Sequence, residues 1–173
     1  MFTRSLAFYI FGGIEMIDYS IGELQLVCKM QFKQILKHIG VRSEMGYAIP
    51  SYFYCFVNGP RNSQLQVIAM EIKSGYLKKS RYFIFGENFD GWAEITENEF
   101  TALRILKKVG DRKMSGIEYE PENCLITIKG DDGIIITDKN SADSIDDFLK
   151  VSDVMGEIRN GDFYTRIKEA KHE

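Results

Sequence analysis

The sequence predicts an α+β fold, a mixed or antiparallel sheet flanked by helices, and three kinds of signal point there. Ser20-Ile21-Gly22-Glu23 and Thr96-Glu97-Asn98-Glu99 are capping boxes, in which hydroxyl and carboxylate satisfy the free backbone donors of a helix start. Leu65 to Ile72 and Arg81 to Gly86 are rich in the β-branched and aromatic residues that suit a pleated surface. Gly130-Asp131-Asp132-Gly133 supplies the positive φ angles of a tight hairpin between two further strand-like runs.

In chain order, residues 1–19 read as an N-terminal strand or extension, with Met16 as an alternative start to Met1. The helix opened by Ser20 carries an apolar stripe of Leu24, Cys28, Phe32, Ile35 and Ile39, spaced by three or four, and Gly40 is placed to end it in the left-handed conformation. In Arg81 to Gly86, Tyr82 and Ile84 point to one face and Phe83 and Phe85 to the other, so both faces of that strand are expected to be covered. Glu87 to Gly91 reads as a turn and Trp92 to Ile95 as a short strand, after which the helix from Thr96 turns Phe100, Leu103 and Leu106 inward. Cys124 to Lys129 and Ile134 to Thr137 form the hairpin. Ser144-Ile145-Asp146-Asp147 then starts a short helix carrying Phe148 and Leu149. Residues 161–173 form a polar tail that frays or adds a last helix. No linker, repeat or low-complexity tract divides the chain, so residues 1–173 read as a single domain, long enough to bury a core without staples.

The three cysteines, Cys28, Cys55 and Cys124, are odd in number, far apart and set in apolar segments, which reads as reduced core thiols in a reducing compartment. Leu6 to Ile14 is apolar but far shorter than the ~20 residues of a membrane helix, and a lone Arg4 with no small-residue cleavage site argues against a signal peptide. A cytoplasmic protein with no membrane partner is expected. The net charge of −3 is small, yet charge is segregated along the chain. Lys73, Lys78, Lys79, Arg81, Arg104, Lys107, Lys108, Arg112 and Lys113 make the middle basic, and Asp131, Asp132, Asp138, Asp143, Asp146, Asp147 and Asp153 make the later part acidic.

Residue chemistry offers no direct sign of a reaction. Of the two histidines, His38 suits the C-terminal dipole of the first helix and His172 lies beside the C-terminus. There is no Gly-x-Ser-x-Gly elbow, phosphate loop or dinucleotide fingerprint. The best enzymatic lead is Val67 to Lys73, a strand ending in Glu71-x-Lys73, similar to the catalytic strand of restriction-type nucleases, where the carboxylate holds a divalent ion and the lysine stabilises charge at the phosphate. That chemistry also needs a preceding aspartate, and none lies between Asp18 and Glu71, leaving Glu44 as a substitute. Turn and capping chemistry explains Asp131, Asp132 and Asp138, and a calcium loop would need a longer series of oxygen ligands, so no metal or cofactor is expected. The aromatic segment Tyr52 to Phe56 reads as core and the basic middle as a solvated helix face, so nucleic acid is not an expected partner. The accumulation of Asp131, Asp132 and Asp138 with Asp143, Asp146, Asp147 and Asp153 is either a solvated face or a surface complementary to a basic protein.

Three segments carry a family likeness. Pro50, Phe53, Phe56, Asn58 and Gly59 fit a Pro-x-x-aromatic-x-x-Phe segment followed by Asn-Gly. Phe85, Gly86 and Gly91 fit a strand entering a glycine-containing turn, and Asp143, Ser144, Phe148 and Leu149 fit the pattern that follows a late strand. In this order the chain resembles the SUKH superfamily of bacterial toxin-immunity proteins and fungal cell-wall regulators. The Pro50 segment reads as that family's helix or, because Asn58-Gly59 follows so soon, as a strand. The resemblance implies a SUKH-like mixed sheet flanked by helices, no catalytic activity, and a protein partner, which for the immunity members is a toxin domain, often a nuclease. The expected function is a non-catalytic protein-binding module, an immunity protein that neutralises a cognate toxin by stoichiometric binding, with Asp131, Asp132, Asp143, Asp146 and Asp147 as its partner surface. The alternatives are a metal-dependent nuclease using Glu71 and Lys73, and a phage or viral inhibitor of a host protein.

Overall fold

A computed structural model of the protein describes residues 9–11, 14–16, 31–40, 48–74, 79–86, 89 and 91–171. β1 (Tyr9–Phe11) and β2 (Ile14–Met16) pair antiparallel, a hairpin where a single strand or extension was expected. α1 covers residues 31–39 and ends at Gly40, whose φ of +76° is the left-handed stop that the sequence called for. The Ser20 capping box, Leu24, Cys28, Glu44, Lys78 and His172 lie outside the described residues.

Four antiparallel strands in chain order form the main sheet: β3 (Ala48–Asn58), β4 (Gln64–Ser74), β5 (Arg81–Gly86) and β6 (Gly91–Ile95). The Pro50 segment is therefore a strand. Its alternation decides what each face buries. Ile68, Met70 and Ile72 of β4 and Phe83 and Phe85 of β5 pack against Ile35 and Leu36 of α1, with Phe32, Ile39 and Trp92 around them. The opposite face, with Cys55, Val57, Val67, Ala69, Ile84 and Ile95, packs against α2 (Glu97–Val109), α3 (Ile145–Asn160) and α4 (Asp162–Lys171). Both faces of β5 are thus covered, as its composition predicts.

A second antiparallel sheet follows, of β7 (Gly116–Glu120), β8 (Leu125–Gly130) and β9 (Gly133–Asp138). The β8–β9 hairpin is the expected one, with Gly133 at φ +124° and a register shift at Ile128/Lys129. Cys124 is not a strand residue: it sits partly exposed at φ +49° before β8, which corrects its reading as a core thiol.

α2 lies between the two sheets. Glu99, Phe100, Thr101, Ala102 and Leu103 are buried without a break, and successive residues turn by 100°, so this helix is enclosed on every side from Glu99 to Leu103. α3 is longer than a short helix, and of the two readings of the polar tail the last helix holds: it is largely α4, with Phe163, Tyr164 and Ile167 buried. Among the described residues, no helix is long and apolar enough to cross a membrane.

Candidate functional site

Among the described residues, the basic middle and the acidic later part meet at Asp138. Asp138, at the end of β9, is buried; Arg104 donates to its two oxygens at 3.2 and 2.9 Å, and Lys108 Nζ adds a bond of 2.9 Å. Burial alone would raise the pKa of this carboxyl, but the bonds from Arg104 and Lys108 and their charges outweigh it and hold it below the usual carboxylate range. Arg104 and Lys108 are therefore not members of an idle solvated face, and Asp138 is more than a turn residue.

The five carboxylates of the expected partner surface form two groups. Asp131 and Asp132 are exposed at the β8–β9 turn. Asp143, Asp146 and Asp147 lie around the start of α3, past the other end of β9, whose 6 residues span about 17 Å. Asp147 is held in place by local bonds. Its N–H donates to Ser144 Oγ, while its carboxylate accepts from the Ser144 hydroxyl and from Asn98 Nδ2, each at 3.1 Å. This ties the start of α3 to the start of α2. Asp143, Asp146 and Asp153 are exposed, and between them Ile145 and Leu149, one helical turn apart, remain 55% and 52% exposed.

Glu71 and Lys73 project from the same face of β4 near its end. The acidic neighbour of Glu71 is Glu97 from the start of α2: the Tyr82 hydroxyl lies 3.4 Å from one carboxylate and 3.2 Å from the other. Burial, then the charges of Glu97 and Glu71, push the pKa of Tyr82 well above the normal phenol range, so it stays a proton donor between them. Among the described residues no group of three or more His, Cys, Asp or Glu is gathered to hold a metal ion.

A cleft of about 790 Å³ opens along β3, lined by Tyr54, Phe56, Asn58, Lys107, Asp111 and Arg159 among others. The ends of α2 and α3 form its far wall. Tyr52, Tyr54 and Phe56 are 38%, 44% and 42% exposed, so the aromatic segment read as core presents three of its rings to solvent. Lys107 Nζ donates to the Tyr54 carbonyl at 2.8 Å and stands 4.3 Å from the centre of the Tyr54 ring. Cys55 also lines this cleft but is buried; burial pushes its thiol up to about 12, against the opposing charge of Lys107, so it packs as a neutral thiol.

No protein-family model, curated protein or solved structure matches the chain. The patch on α3 has the composition of a contact surface, an apolar centre with a charged rim. Sequence reading found its carboxylates and missed Ile145, although the spacing of Ile145 and Leu149 with Asp146 and Asp153 between and beyond them marks an apolar pair set among acids. It missed the open edge of β3 as well, for which Pro50 inside a strand was the available signal.

Proposed function

We propose that this chain is a protein-binding module of immunity type, which neutralises a cognate toxin by stoichiometric binding through the start of α3. The observation that carries the reading is the exposed pair Ile145 and Leu149 set among Asp143, Asp146 and Asp153. Because both side chains are already about half buried, covering the rest in a partner gives about 1 kcal/mol each, half of the value for full burial, and the carboxylates steer a basic surface toward them. A nuclease toxin has a basic substrate cleft, which is the surface such a patch complements. The SUKH resemblance supports the same reading, because Asp143, Ser144, Phe148 and Leu149 belong to its third segment.

The test starts at the neighbouring open reading frame. Its toxin domain, expressed alone, should arrest growth; with this chain present, growth should resume and a one-to-one complex should elute from a sizing column. Ile145→Ser with Leu149→Ser should weaken that complex at least tenfold without unfolding the chain, since both side chains already face water. Absence of rescue and complex would defeat the proposal. So would magnesium- or manganese-dependent cleavage of DNA or RNA by the purified chain that Glu71→Ala abolishes, which would establish the nuclease alternative.

A further inference from the structure

A second surface lies at the other end of α3, roughly 21 Å along the helix from Ile145 at its rise of 1.5 Å per residue. It is the open edge of β3. Among the described residues this strand pairs only with β4, so half of its backbone groups meet no strand there. Which half follows from the ladder. The Gly59 N–H bonds to the Ser63 carbonyl at 2.8 Å, and bonded and non-bonded pairs alternate along an antiparallel ladder. Asn58 with Gln64, Phe56 with Gln66, Tyr54 with Ile68, Tyr52 with Met70 and Pro50 with Ile72 are then the non-bonded pairs. Two independent facts agree: the Tyr54 carbonyl faces outward to take the Lys107 bond, and Pro50, which has no N–H to give, falls in the same set. Tyr52, Tyr54 and Phe56 therefore turn both N–H and C=O to the open edge, and their exposed rings stand above it.

We propose that this edge captures an extended segment of a partner protein as an added strand, one whose side chains alternate between apolar and acidic. An added strand continues the two faces of the sheet. Side chains opposite Tyr52, Tyr54 and Phe56 lie against those rings, where apolar groups are favoured. The intervening side chains enter the cleft toward the ends of α2 and α3, where Lys107 and Arg159 outnumber Asp111. That charge excess selects carboxylates and disfavours a second copy of this chain, because antiparallel self-pairing centred on Tyr54 brings Lys107 and its copy to the same edge. Lys107 now holds the place of an incoming donor. The partner's N–H takes over the Tyr54 carbonyl, and the released ammonium meets the partner's carboxylate. Asn58, whose side-chain amide donates to the Arg159 carbonyl, closes the edge at that end, so the segment is about five or six residues long.

The probe is a random twelve-residue peptide library displayed on phage and selected on the full chain. Enriched peptides should share a run of five or six residues with acids at every second position. They should bind Tyr54→Pro at least tenfold more weakly, since proline at an outward-facing position blocks the edge and takes no bond from β4. Lys107→Glu with Arg159→Glu should convert the selected acids to lysine and arginine. An arm with the unaltered protein guards against a misfolded variant: N-methylation at alternate peptide positions should abolish binding in one register and spare it in the other. Ile145→Ser with Leu149→Ser should leave all of this unchanged. Peptides without an acidic period, or binding indifferent to N-methylation in either register, would overturn the proposal. So would a dimer of the unaltered chain that Tyr54→Pro dissolves, which would give the edge to a second copy.

Discussion

Among the described residues, Asp138 is the one at which charge and burial are in closest conflict. Its carboxylate is 2% exposed, while Arg104 and Lys108 are 31% and 47% exposed, so water relieves the two cations and not the anion. Removing the anion leaves both cations facing a neutral group, and Asp138→Asn should cost about 2–4 kcal/mol at neutral pH, towards the lower end because the cations can turn to water. The pH dependence has a definite sign. The folded carboxyl titrates below its ordinary value of 3.8, so its contribution is complete above that value and is lost as pH falls through the folded pKa. Urea unfolding at a series of pH values from 7 to 2 should show the wild type losing stability faster than Asp138→Asn below about pH 4. Parallel curves for the two proteins would mean that the pair contributes no pH-linked stability.

At the scale of elements, the helix starts were legible because caps are local. Thr96 Oγ1 accepts from the Glu99 N–H at 3.1 Å and Glu99 Oε1 accepts from the Thr96 N–H at 2.8 Å, the reciprocal pair that four consecutive residues predict. What the sequence does not display is the second role of Glu99. Its other oxygen meets Arg166 of α4 at 2.7 Å, and Arg166 reaches Glu157 of α3 at 2.9 Å, so one carboxylate starts α2 and joins three helices. Glu99→Ala should therefore cost about 2–4 kcal/mol, more than the ~1 kcal/mol of a cap alone, whereas Glu99→Gln should lie between the two. Thermal or urea unfolding of the three proteins separates these terms; equal losses from Ala and Gln would assign the whole effect to charge. β3 and α4 were harder to read for a physical reason. Tyr52 to Val57 is apolar at nearly every position, so periodicity cannot tell which face water sees, and the answer depends on where α1 ends on the sheet. In α4 the buried Phe163, Tyr164 and Ile167 keep helical spacing but are diluted by charged neighbours that composition weighs equally.

At the scale of the molecule, the acidic later part is divided by the very hairpin that its glycines build. A chain-order reading places Asp131 and Asp132 with Asp143, Asp146 and Asp153, but β9 separates the two groups by about 17 Å, roughly two Debye lengths at physiological salt. Charges that far apart steer a partner independently, so only the group beside the contact should govern the approach. With the toxin domain that the growth-rescue assay identifies, Asp143→Asn, Asp146→Asn and Asp153→Asn together should slow association about tenfold at low salt and flatten its salt dependence. Asp131→Asn with Asp132→Asn should change the rate less than twofold. Asp147 is left intact because its carboxylate joins α3 to Asn98, and its loss would confuse steering with folding. Stopped-flow association at several salt concentrations measures both variants. Equal slowing by the two sets would show that net charge alone guides the encounter, and a larger effect at Asp131 and Asp132 would move the contact to the hairpin turn.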